Sequence, residues 1–382
     1  MKQYCFSAPG RTEISGNHTD HQHGCVLAAS INLETVAEVM PNDTSVMRIA
    51  SEGYPCVSVD IHDLAVREEE KNTTAALVRG IAAAFRDRGA QLGGFEAKVS
   101  STVLPGSGLS SSASFEVLVG NILNTLFFNG QLDAIEIAKI GQYAENVYFG
   151  KPCGLMDQIA CSVGGMVFID FHRPEAPVVE KIDFDFSRVG YALCIIDTGA
   201  DHADLTDEYT AITQELKAVC AFFGKSHLRD VPEADFFQQL KALRAAVGDR
   251  AVLRAMHVFE ENKRVLRQKQ ALQEGDFTAF LADVKASGIS SWRYLQNVIP
   301  SAQKSHQEVA LALALAESLL EGRGACRVHG GGFAGTIQAF VPLDRVNDFK
   351  QGMDRVLGED HCRVLSITST GGAIVSTKGE EL

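Results

Sequence analysis

Apolar residues recur along this chain with two different spacings, and each spacing predicts a different kind of element. Residues 95–104 alternate between apolar and polar side chains, which predicts a strand. Residues 115–128 place apolar side chains three and four positions apart, which predicts a helix. The segment between them, Pro105–Ser114, is rich in glycine and serine, which is typical of a loop. The sequence therefore predicts a strand, a glycine- and serine-rich loop and a helix in succession.

The same two spacings predict the elements of the rest of the chain. Helices are predicted over residues 73–90, 131–149, 206–224, 234–247, 250–273, 276–287 and 303–322. Strands are predicted over 26–40, 57–61, 165–171, 179–184, 191–197, 362–368 and 373–376, and a strand, a glycine loop and a strand over 325–341. Residues 1–70 are predicted to be rich in strands and include the polar stretch 8–24, and the segment 151–158 is predicted as a turn. Such a mixture indicates the α+β class, and we place a domain boundary near residue 188, between domains 1–188 and 189–382.

The loop Pro105–Ser114 has the properties of a phosphate-binding loop. Gly106 and Gly108 allow the backbone to approach a ligand closely, and the following helix presents unpaired N–H groups at the positive end of its dipole. The loop lacks the Gly-Lys-Ser/Thr ending of a Walker A motif and the third glycine of a dinucleotide fingerprint. A serine-capped helix after a tight turn is the alternative interpretation. If phosphate binds here, the positive charge that it needs comes from elsewhere in the chain.

Three further segments concentrate side chains that are suited to chemistry. Residues 8–24 contain Arg11, Glu13, Asn17, His18, Asp20, His21 and His23. The three histidines and Asp20 suggest a metal site of a hydrolase, and a solvated polar turn is the alternative. Asp157 lies among apolar residues, so we expect it to be half-buried and either functional or a helix cap. A glycine loop, Gly330, Gly331, Gly332 and Gly335, predicts a backbone kept bare for close approach to a ligand or another loop.

The composition narrows the class of partner. The chain has 382 residues, enough for two or three domains, and a formal net charge of −13, which argues against nucleic acid or an anionic membrane as a partner. Its nine cysteines are scattered singly, as in a reducing cytosol, and its first residues lack the apolar core of a signal peptide. No apolar run is long enough to span a membrane. We therefore expect a cytoplasmic protein that binds small molecules.

The glycine-rich stretches also carry a resemblance to a known family. Pro9–Gly24, Pro105–Ser114 and Gly330–Gly335 resemble, in this order, the three motifs of the galactokinase, homoserine kinase, mevalonate kinase and phosphomevalonate kinase (GHMP) superfamily. Within it the chain resembles the galactokinase family, through Gly10-Arg11, Gly16-Asn-His-Thr-Asp20 and Gly24-Cys-Val-Leu27. Pro152–Gln158 resembles the segment that carries the catalytic aspartate of that family. The likeness runs over nearly the whole chain and is weakest in its helical second half.

The resemblance implies a fold and a reaction. It implies a two-domain GHMP-kinase fold with an N-terminal β/α domain, a C-terminal ferredoxin-like domain and the active site between them. The implied reaction is ATP-dependent phosphorylation of a sugar, galactose first, at its C1 hydroxyl, with Mg²⁺ and ATP bound by a protein that we expect to be a monomer. A non-catalytic sugar and nucleotide sensor of the same fold, and a metal hydrolase, are the alternatives.

The resemblance also assigns roles residue by residue. Arg11 and Asp157 are the catalytic pair, and Asn17, His18, Asp20, Gly154 and Tyr209 contact the sugar. Ser112 and Glu145 match the Mg²⁺ ligands. The ATP phosphates would lie on the loop formed by Pro105, Gly106, Ser107, Gly108, Leu109, Ser110, Ser111, Ser112 and Ala113.

Several positions depart from the pattern of the galactokinase family. Glu13 and Asn17 stand where the family has asparagine and glutamate, and His21 replaces an aromatic residue. Asp201 replaces an arginine, and Lys285-Ala-Ser-Gly288 replaces an Asn-Glu-Ser-His run. These changes leave open whether galactose or a C6-modified galactose such as galacturonate is the acceptor, and whether ATP or GTP is the donor. An amide at position 17 would tolerate a C6 carboxylate that a glutamate would repel.

Overall fold

A computed structural model describes residues 2–103, 106, 108–200 and 205–378 of the chain. These residues form two compact units. The first contains the residues through Thr12, Ala29–Met166 and the residues from Ile367 on, and the second contains Glu13–Ala28 and Val167–Ser366. The chain therefore passes between the units four times, whereas the sequence suggested one boundary near residue 188. The difference arises because two long strands begin in one unit and end in the other, and because the C-terminal strand returns to the first unit.

The first sheet is built mainly from the first unit. Its strands are β1 (Gln3–Ser15), β2 (Cys25–Pro41), β3 (Val46–Ser51), β4 (Val57–Asp60), β5 (Phe95–Ser101), β6 (Met166–Asp170), β7 (Val178–Ile182) and β12 (Ala373–Lys378). The strand order is β12-β1-β2-β5-β3-β4, with β6 paired to β2 and β7 to β6. The pair β3–β5 is parallel, whereas β2 and β5 run antiparallel with Thr35 opposite Ser101.

Four helices cover the hydrophobic side of the first unit: α1 (Thr74–Asp87), α2 (Ser111–Phe127), α3 (Ala134–Tyr143) and α4 (Met156–Val163). Fully buried Phe6, Phe85 and Phe95 lie in the core between these helices and the strands. The side chains of Thr73 and Asp133 accept hydrogen bonds from the first turns of α1 and α3, which fixes where these helices begin. A π-helical turn, Ala144–Phe149, continues α3.

The second unit contains an antiparallel sheet of four strands. They are β8 (Tyr191–Asp197), β9 (Ala325–Val328), β10 (Thr336–Pro342) and β11 (Cys362–Leu365), in the order β11-β8-β10-β9. The helices are α5 (Thr206–Phe222), α6 (Glu233–Gln238), α7 (Leu240–Val247), α8 (Asp249–Glu274), α9 (Phe277–Ser290), α10 (Glu308–Leu320) and α11 (Val346–Leu357). Short 3-10 turns lie at Asp20–Gln22, Glu68–Glu70, Phe186–Val189, Leu228–Asp230 and Leu343–Arg345, and a π turn at Ser291–Leu295. No helix of the described residues is long and apolar enough to cross a membrane.

Most predicted elements are present, and the exceptions have physical reasons. The stretch 8–15, for which the sequence left a solvated polar turn as one interpretation, is the second half of β1. It is buried on both faces, so its polar side chains do not alternate with exposed ones and the strand signal is lost. The single helix predicted over 234–247 is two helices, α6 and α7. Helix α11 was not predicted. Its Gly352 lies close to α10, because an added Cβ there would be 2.7 Å from Leu319 Cδ1.

Candidate functional site

The centre of the first group of candidate residues is the pair Arg11–Asp157. Arg11 is buried near the middle of β1, and Asp157 lies half-buried in the first turn of α4. Arg11 donates from Nε to Oδ1 of Asp157 at 2.8 Å and from Nη2 to Oδ2 at 2.7 Å, a two-pronged ion pair. Burial disfavours the charged carboxylate, but Arg11 and a serine hydroxyl outweigh it and hold the pKa of Asp157 below its usual range. Asp157 is therefore an ionised carboxylate at neutral pH.

That hydroxyl belongs to Ser110, the residue that precedes α2. Ser110 has the left-handed backbone conformation, with φ of 60°, which is strained for a residue other than glycine. Its Oγ donates to Oδ2 of Asp157 at 2.5 Å rather than capping the helix. The N–H groups of Ser111, Ser112 and Ala113 are thus placed to meet an anion.

The loop and β1 are joined by backbone contacts. Arg11 Nη1 donates to the carbonyl of Gly108 at 2.6 Å, and Arg11 N–H donates to the carbonyl of Leu109 at 3.1 Å. At Gly10 an added Cβ would lie 2.8 Å from that Leu109 oxygen, so only glycine lets the two segments approach. Gly106 and Gly108 adopt positive φ. Leu104, Pro105 and Ser107 lie outside the described residues.

A cavity of about 530 Å³ opens beside the start of α2. It is lined by Thr35, Ser51, Tyr54, Asn72, Ser101, Ser112, Phe115 and Phe149, among others. The lining combines three aromatic side chains, Tyr54, Phe115 and Phe149, with several serine, threonine and asparagine side chains. Flat aromatic faces with polar groups beside them suit a planar organic group that also forms hydrogen bonds. The sequence did not predict this cavity, because its walls come from segments that are far apart in the chain and carry no motif.

Glu145 lies in the π-helical turn and belongs to a buried carboxylate pair. The side chain of Gln158 donates from Nε2 to Glu145 Oε2 and to Glu116 Oε2, at 3.0 Å in both cases. Burial, together with the charge of Glu145, raises the pKa of Glu116. Lys151 Nζ lies 3.6 Å from Glu145 Oε1. Glu116 and Gln158 were not singled out from the sequence, although Gln158 directly follows Asp157.

The second group of candidate residues lies in the second unit, around the glycine loop. Asn17 is fully buried, and its Nδ2 donates to the carbonyl of Gly330 and, at 3.4 Å, to Oε1 of Glu13. Glu13 is held by a buried ion pair, with Arg327 Nη2 at 2.9 Å. The two residues that depart from the galactokinase pattern therefore lie side by side. Together these two side chains still provide one carboxylate and one amide, as the family pattern does.

His18 and Tyr209 reach the same glycine loop. His18 Nε2 lies 2.9 Å from the carbonyl of Gly331, and the Tyr209 hydroxyl donates to the carbonyl of Gly332 at 2.8 Å. Burial raises the pKa of Tyr209 to about 12, so its hydroxyl stays protonated. At Gly332, with φ of +79°, an added Cβ would lie 2.2 Å from the Asn297 carbonyl oxygen, so this position requires glycine.

The remaining candidates lie outside the two groups of contacts described so far. Asp20 lies half-buried in the 3-10 turn that follows β1, and Gly154 is exposed three residues before Asp157. Asp201, one of the departures from the galactokinase pattern, lies outside the described residues. In the segment 285–288, Ser287 Oγ donates to buried Glu261 at 2.6 Å and Lys285 donates to the carbonyl of Gly322, which are structural contacts.

The metal-hydrolase alternative finds no support in the described residues. They contain no group of three or more histidine, cysteine or acidic side chains that could hold a metal ion. His23 instead stacks on His227, with ring centroids 3.4 Å apart, and His18 contacts His21. All nine cysteines are free thiols.

Comparison with known proteins gives consistent matches. Residues 1–41 match the galactokinase galactose-binding signature, and residues 76–165 match the N-terminal domain of GHMP kinases. The galactokinase of Streptomyces coelicolor is 32% identical over 376 residues, which span 96% of this chain and 93% of that relative. The crystal structure of Lactococcus lactis galactokinase with galactose superposes with a TM-score of 0.81 at 26% identity, covering 98% of this chain and 95% of the other. A mevalonate kinase, 13% identical, shares the fold with a TM-score of 0.68, covering 96% and 99% of the two chains.

Proposed function

This chain belongs to the galactokinase family of GHMP kinases, and on that premise we propose that it transfers the γ-phosphoryl group of ATP to the C1 hydroxyl of galactose, giving α-galactose 1-phosphate. The observation that carries the proposal is the two-pronged ion pair between Arg11 and Asp157, at 2.7 and 2.8 Å, beside the loop before α2. It joins an ionised carboxylate to a fixed positive charge. These are the two groups that phosphoryl transfer to a hydroxyl requires.

Asp157 accepts or orients the proton of the C1 hydroxyl. Arg11 has two tasks: it keeps Asp157 ionised, and its positive charge neutralises charge that develops on the transferred phosphoryl group. Ser110 donates to the same carboxylate and so holds it toward the loop. The anomeric hydroxyl is more acidic than an ordinary alcohol, so a carboxylate with a low pKa is a sufficient base.

The start of α2 receives the phosphates of ATP. The N–H groups of Ser111, Ser112 and Ala113 supply donors there, and the cavity beside them has the size and the lining for a purine base. The loop residues Gly106, Gly108, Leu109 and Ser110 complete the phosphate-binding segment, together with Pro105 and Ser107.

Ser112 and Glu145 are the residues that would hold Mg²⁺. A hydroxyl and a carboxylate are hard oxygen donors of the kind that Mg²⁺ prefers, and Gln158 fixes the orientation of the Glu145 carboxylate. The buried negative charge of the Glu116–Glu145 pair favours a cation at this position. When bound with ATP, the metal supplies neutralisation of phosphate charge.

Galactose is the acceptor that the second group favours. The exchange of Glu13 and Asn17 relative to the family pattern leaves both groups in one wall, because the two side chains are in contact at 3.4 Å. The same two groups can recognise the same sugar hydroxyls, and His18, Asp20 and Tyr209 would complete this part of the sugar site. A carboxylate at C6 of the sugar would meet Glu13 and be repelled.

The experiment is a release assay for ADP and GDP with purified protein and Mg²⁺. It uses ATP or GTP with galactose, galacturonate, galactosamine, glucose or no sugar, and phosphorus NMR assigns the product. We expect turnover with ATP and galactose, phosphate on C1, and loss of turnover in Asp157→Asn. Galacturonate preferred over galactose would contradict the reading of the Glu13–Asn17 wall. Release of neither nucleotide with any sugar, with galactose still bound, would identify a sensor instead.

A further inference from the structure

Four consecutive hydrogen bonds link the backbone before α6 to the glycine loop through three side chains. The backbone N–H of Leu228 donates to Oε1 of Gln22 at 3.1 Å. Nε2 of Gln22 lies 3.3 Å from Nδ1 of His21, and Nε2 of His21 lies 3.1 Å from Nδ1 of His18. Nε2 of His18 lies 2.9 Å from the carbonyl oxygen of Gly331. We call the three side chains Gln22, His21 and His18 the relay.

The two ends of the relay fix the position of every proton in it. A backbone N–H can only donate, so the atom of Gln22 that faces Leu228 is the oxygen, and the amide nitrogen donates to Nδ1 of His21. A neutral His21 that accepts at Nδ1 carries its proton on Nε2 and donates to His18. From the other end, a carbonyl can only accept, so His18 carries its proton on Nε2 and accepts at Nδ1. Both ends therefore demand the same single proton between the two rings.

From this agreement we propose that His21 and Gln22 are positioning residues that hold His18 in one tautomer, with Nε2–H donated to the Gly331 carbonyl and Nδ1 accepting from His21, so that the His18 ring is fixed against the glycine loop before the sugar binds. The inference rests on the proposed function, in which His18 contacts galactose. A free neutral imidazole exchanges between two tautomers. The relay selects one tautomer in the free protein, so sugar binding does not carry the free-energy cost of selecting it.

The surroundings of the relay oppose an extra proton. Burial lowers the pKa of His21 to about 3, and the positive charges that His18, His227 and Lys217 can carry disfavour a further one. Gln22 is buried, and the thiol of Cys220 lies 3.7 Å from its side-chain oxygen, which also favours this orientation of the amide. An aromatic residue without ring nitrogens at position 21 would leave Nδ1 of His18 without this donor.

The test reads the tautomers directly, without substrate. Full-length protein labelled with ¹⁵N-histidine is examined by long-range ¹H–¹⁵N NMR at pH 7.5, and single-histidine variants assign the 11 histidines. We expect His18 and His21 both neutral and both protonated on Nε2. His18 protonated on Nδ1, or averaging between tautomers, overturns the inference whether or not the protein phosphorylates galactose.

Gln22→Glu replaces the hydrogen-bond donor that faces His21 by an acceptor. A glutamate accepts from Leu228 with one oxygen and presents the other to His21, so Nδ1 of His21 must be protonated and the histidine pair takes up an extra proton near neutral pH. The matched variant Gln22→Met removes the donor to His21 without adding charge. If either variant fails to fold, the tautomers seen in the wild-type spectrum test the proposal by themselves. No change at His21 in a folded Gln22→Glu protein contradicts the relay.

Kinetics then separates positioning from a merely structural role. His21→Phe releases the tautomer of His18, so we expect KM for galactose to rise roughly five- to tenfold, the worth of about one hydrogen bond, with kcat changed less than about twofold. His23→Asn alters the same turn outside the relay and keeps a residue that tolerates positive φ. Equal effects of His21→Phe and His23→Asn on KM would overturn the positioning role. Absence of activity in wild type would instead refute the proposed function and leave the NMR result standing.

Discussion

Replacing Asp157 by asparagine removes one negative charge and almost no volume. The native carboxylate accepts three hydrogen bonds, from Arg11 Nε at 2.8 Å, from Arg11 Nη2 at 2.7 Å and from Ser110 Oγ at 2.5 Å. An asparagine offers one oxygen, and its amide N–H₂ group would face a donor on the other side. The variant therefore loses the base of the proposed reaction and at least one charge-assisted hydrogen bond.

The catalytic loss should greatly exceed the structural loss. A general base contributes about 10²- to 10⁴-fold to a rate, so we expect kcat to fall by at least roughly 10²-fold. A hydrogen bond to a charged group contributes about 1.5–3 kcal/mol. The Asp157 side chain is 33% exposed and that of Arg11 only 9%, so solvent weakens the pair on one side and we expect a loss of about 2 kcal/mol. A domain with the usual stability of about 5–15 kcal/mol remains folded after that loss.

The pH dependence of this stability loss has a definite sign. Because the native pKa of Asp157 is lowered, the pair stabilises the native state fully above the ordinary carboxyl pKa of about 4. That contribution disappears as the pH falls through the lowered native value. The difference in free energy of unfolding between wild type and Asp157→Asn should therefore be constant from pH 8 to pH 5 and shrink only in more acidic solution.

The assay combines single-turnover ADP formation, ATP titration by calorimetry and urea unfolding. Ser110→Gly is the matched control: it removes one hydrogen bond to the same carboxylate, keeps the charge and suits the left-handed backbone. We expect its rate to fall by about tenfold or less, with ATP bound by both variants. Turnover near the wild-type level in folded Asp157→Asn would refute the reasoning and make Asp157 a structural counter-ion of Arg11.

Two further predictions concern the second unit. Asn17→Glu should lower the free energy of unfolding by about 3 kcal/mol or more relative to the wild type, measured by urea titration, because the new side chain cannot donate to Gly330 and adds a negative charge beside Glu13. Unchanged stability would mean that residue 17 is not held as described. Burial lowers the pKa of His257 to about 4, so the unfolded chain binds more protons between pH 6.5 and pH 4, and stability should fall as the pH falls through that range, by up to about 1.4 kcal/mol per unit. His257→Gln should remove that part of the slope, and an unchanged slope would show that His257 is not the group responsible.

The sequence revealed the parts of the site that have local signals. The strand, loop and helix around Pro105–Ser114 follow from hydrophobic spacing and glycine, and β8 appears as an apolar run at the predicted residues. Family likeness, rather than spacing, singled out Arg11 and Asp157 as a pair, and the structure brings them into contact although they are 146 positions apart. Their ion pair, unlike the loop, leaves no periodic trace in the sequence.

What the sequence could not reveal depends on contacts between distant segments. The second half of β1 was missed because burial on both faces erases alternation. The hydroxyl of Ser110 was expected to face phosphate, and only the positive φ of that residue turns it toward Asp157. The relay needs Leu228 and Gly331 to fix its ends, and the cavity beside α2 draws on several strands and helices. None of these is encoded in neighbouring residues.

The C-terminal segment of the described chain determines when the first unit can be finished during synthesis. Strand β12 pairs with β1, which is synthesised long before it. The residues just before β12 contact the end of α4: Gly165 N–H donates to the Thr368 carbonyl at 2.8 Å, and Gly372 N–H donates to the Cys161 carbonyl at 3.1 Å. The helix that carries Asp157 therefore gains these contacts only after the residues from Ile367 on have been synthesised. A nascent chain that reaches Ser366 still has an unpaired edge at β1 and an α4 without these two hydrogen bonds. The first unit is therefore completed only after the long segment Val167–Ser366 of the second unit has been synthesised, so a chain that stops before Ile367 lacks these contacts to the helix that carries Asp157.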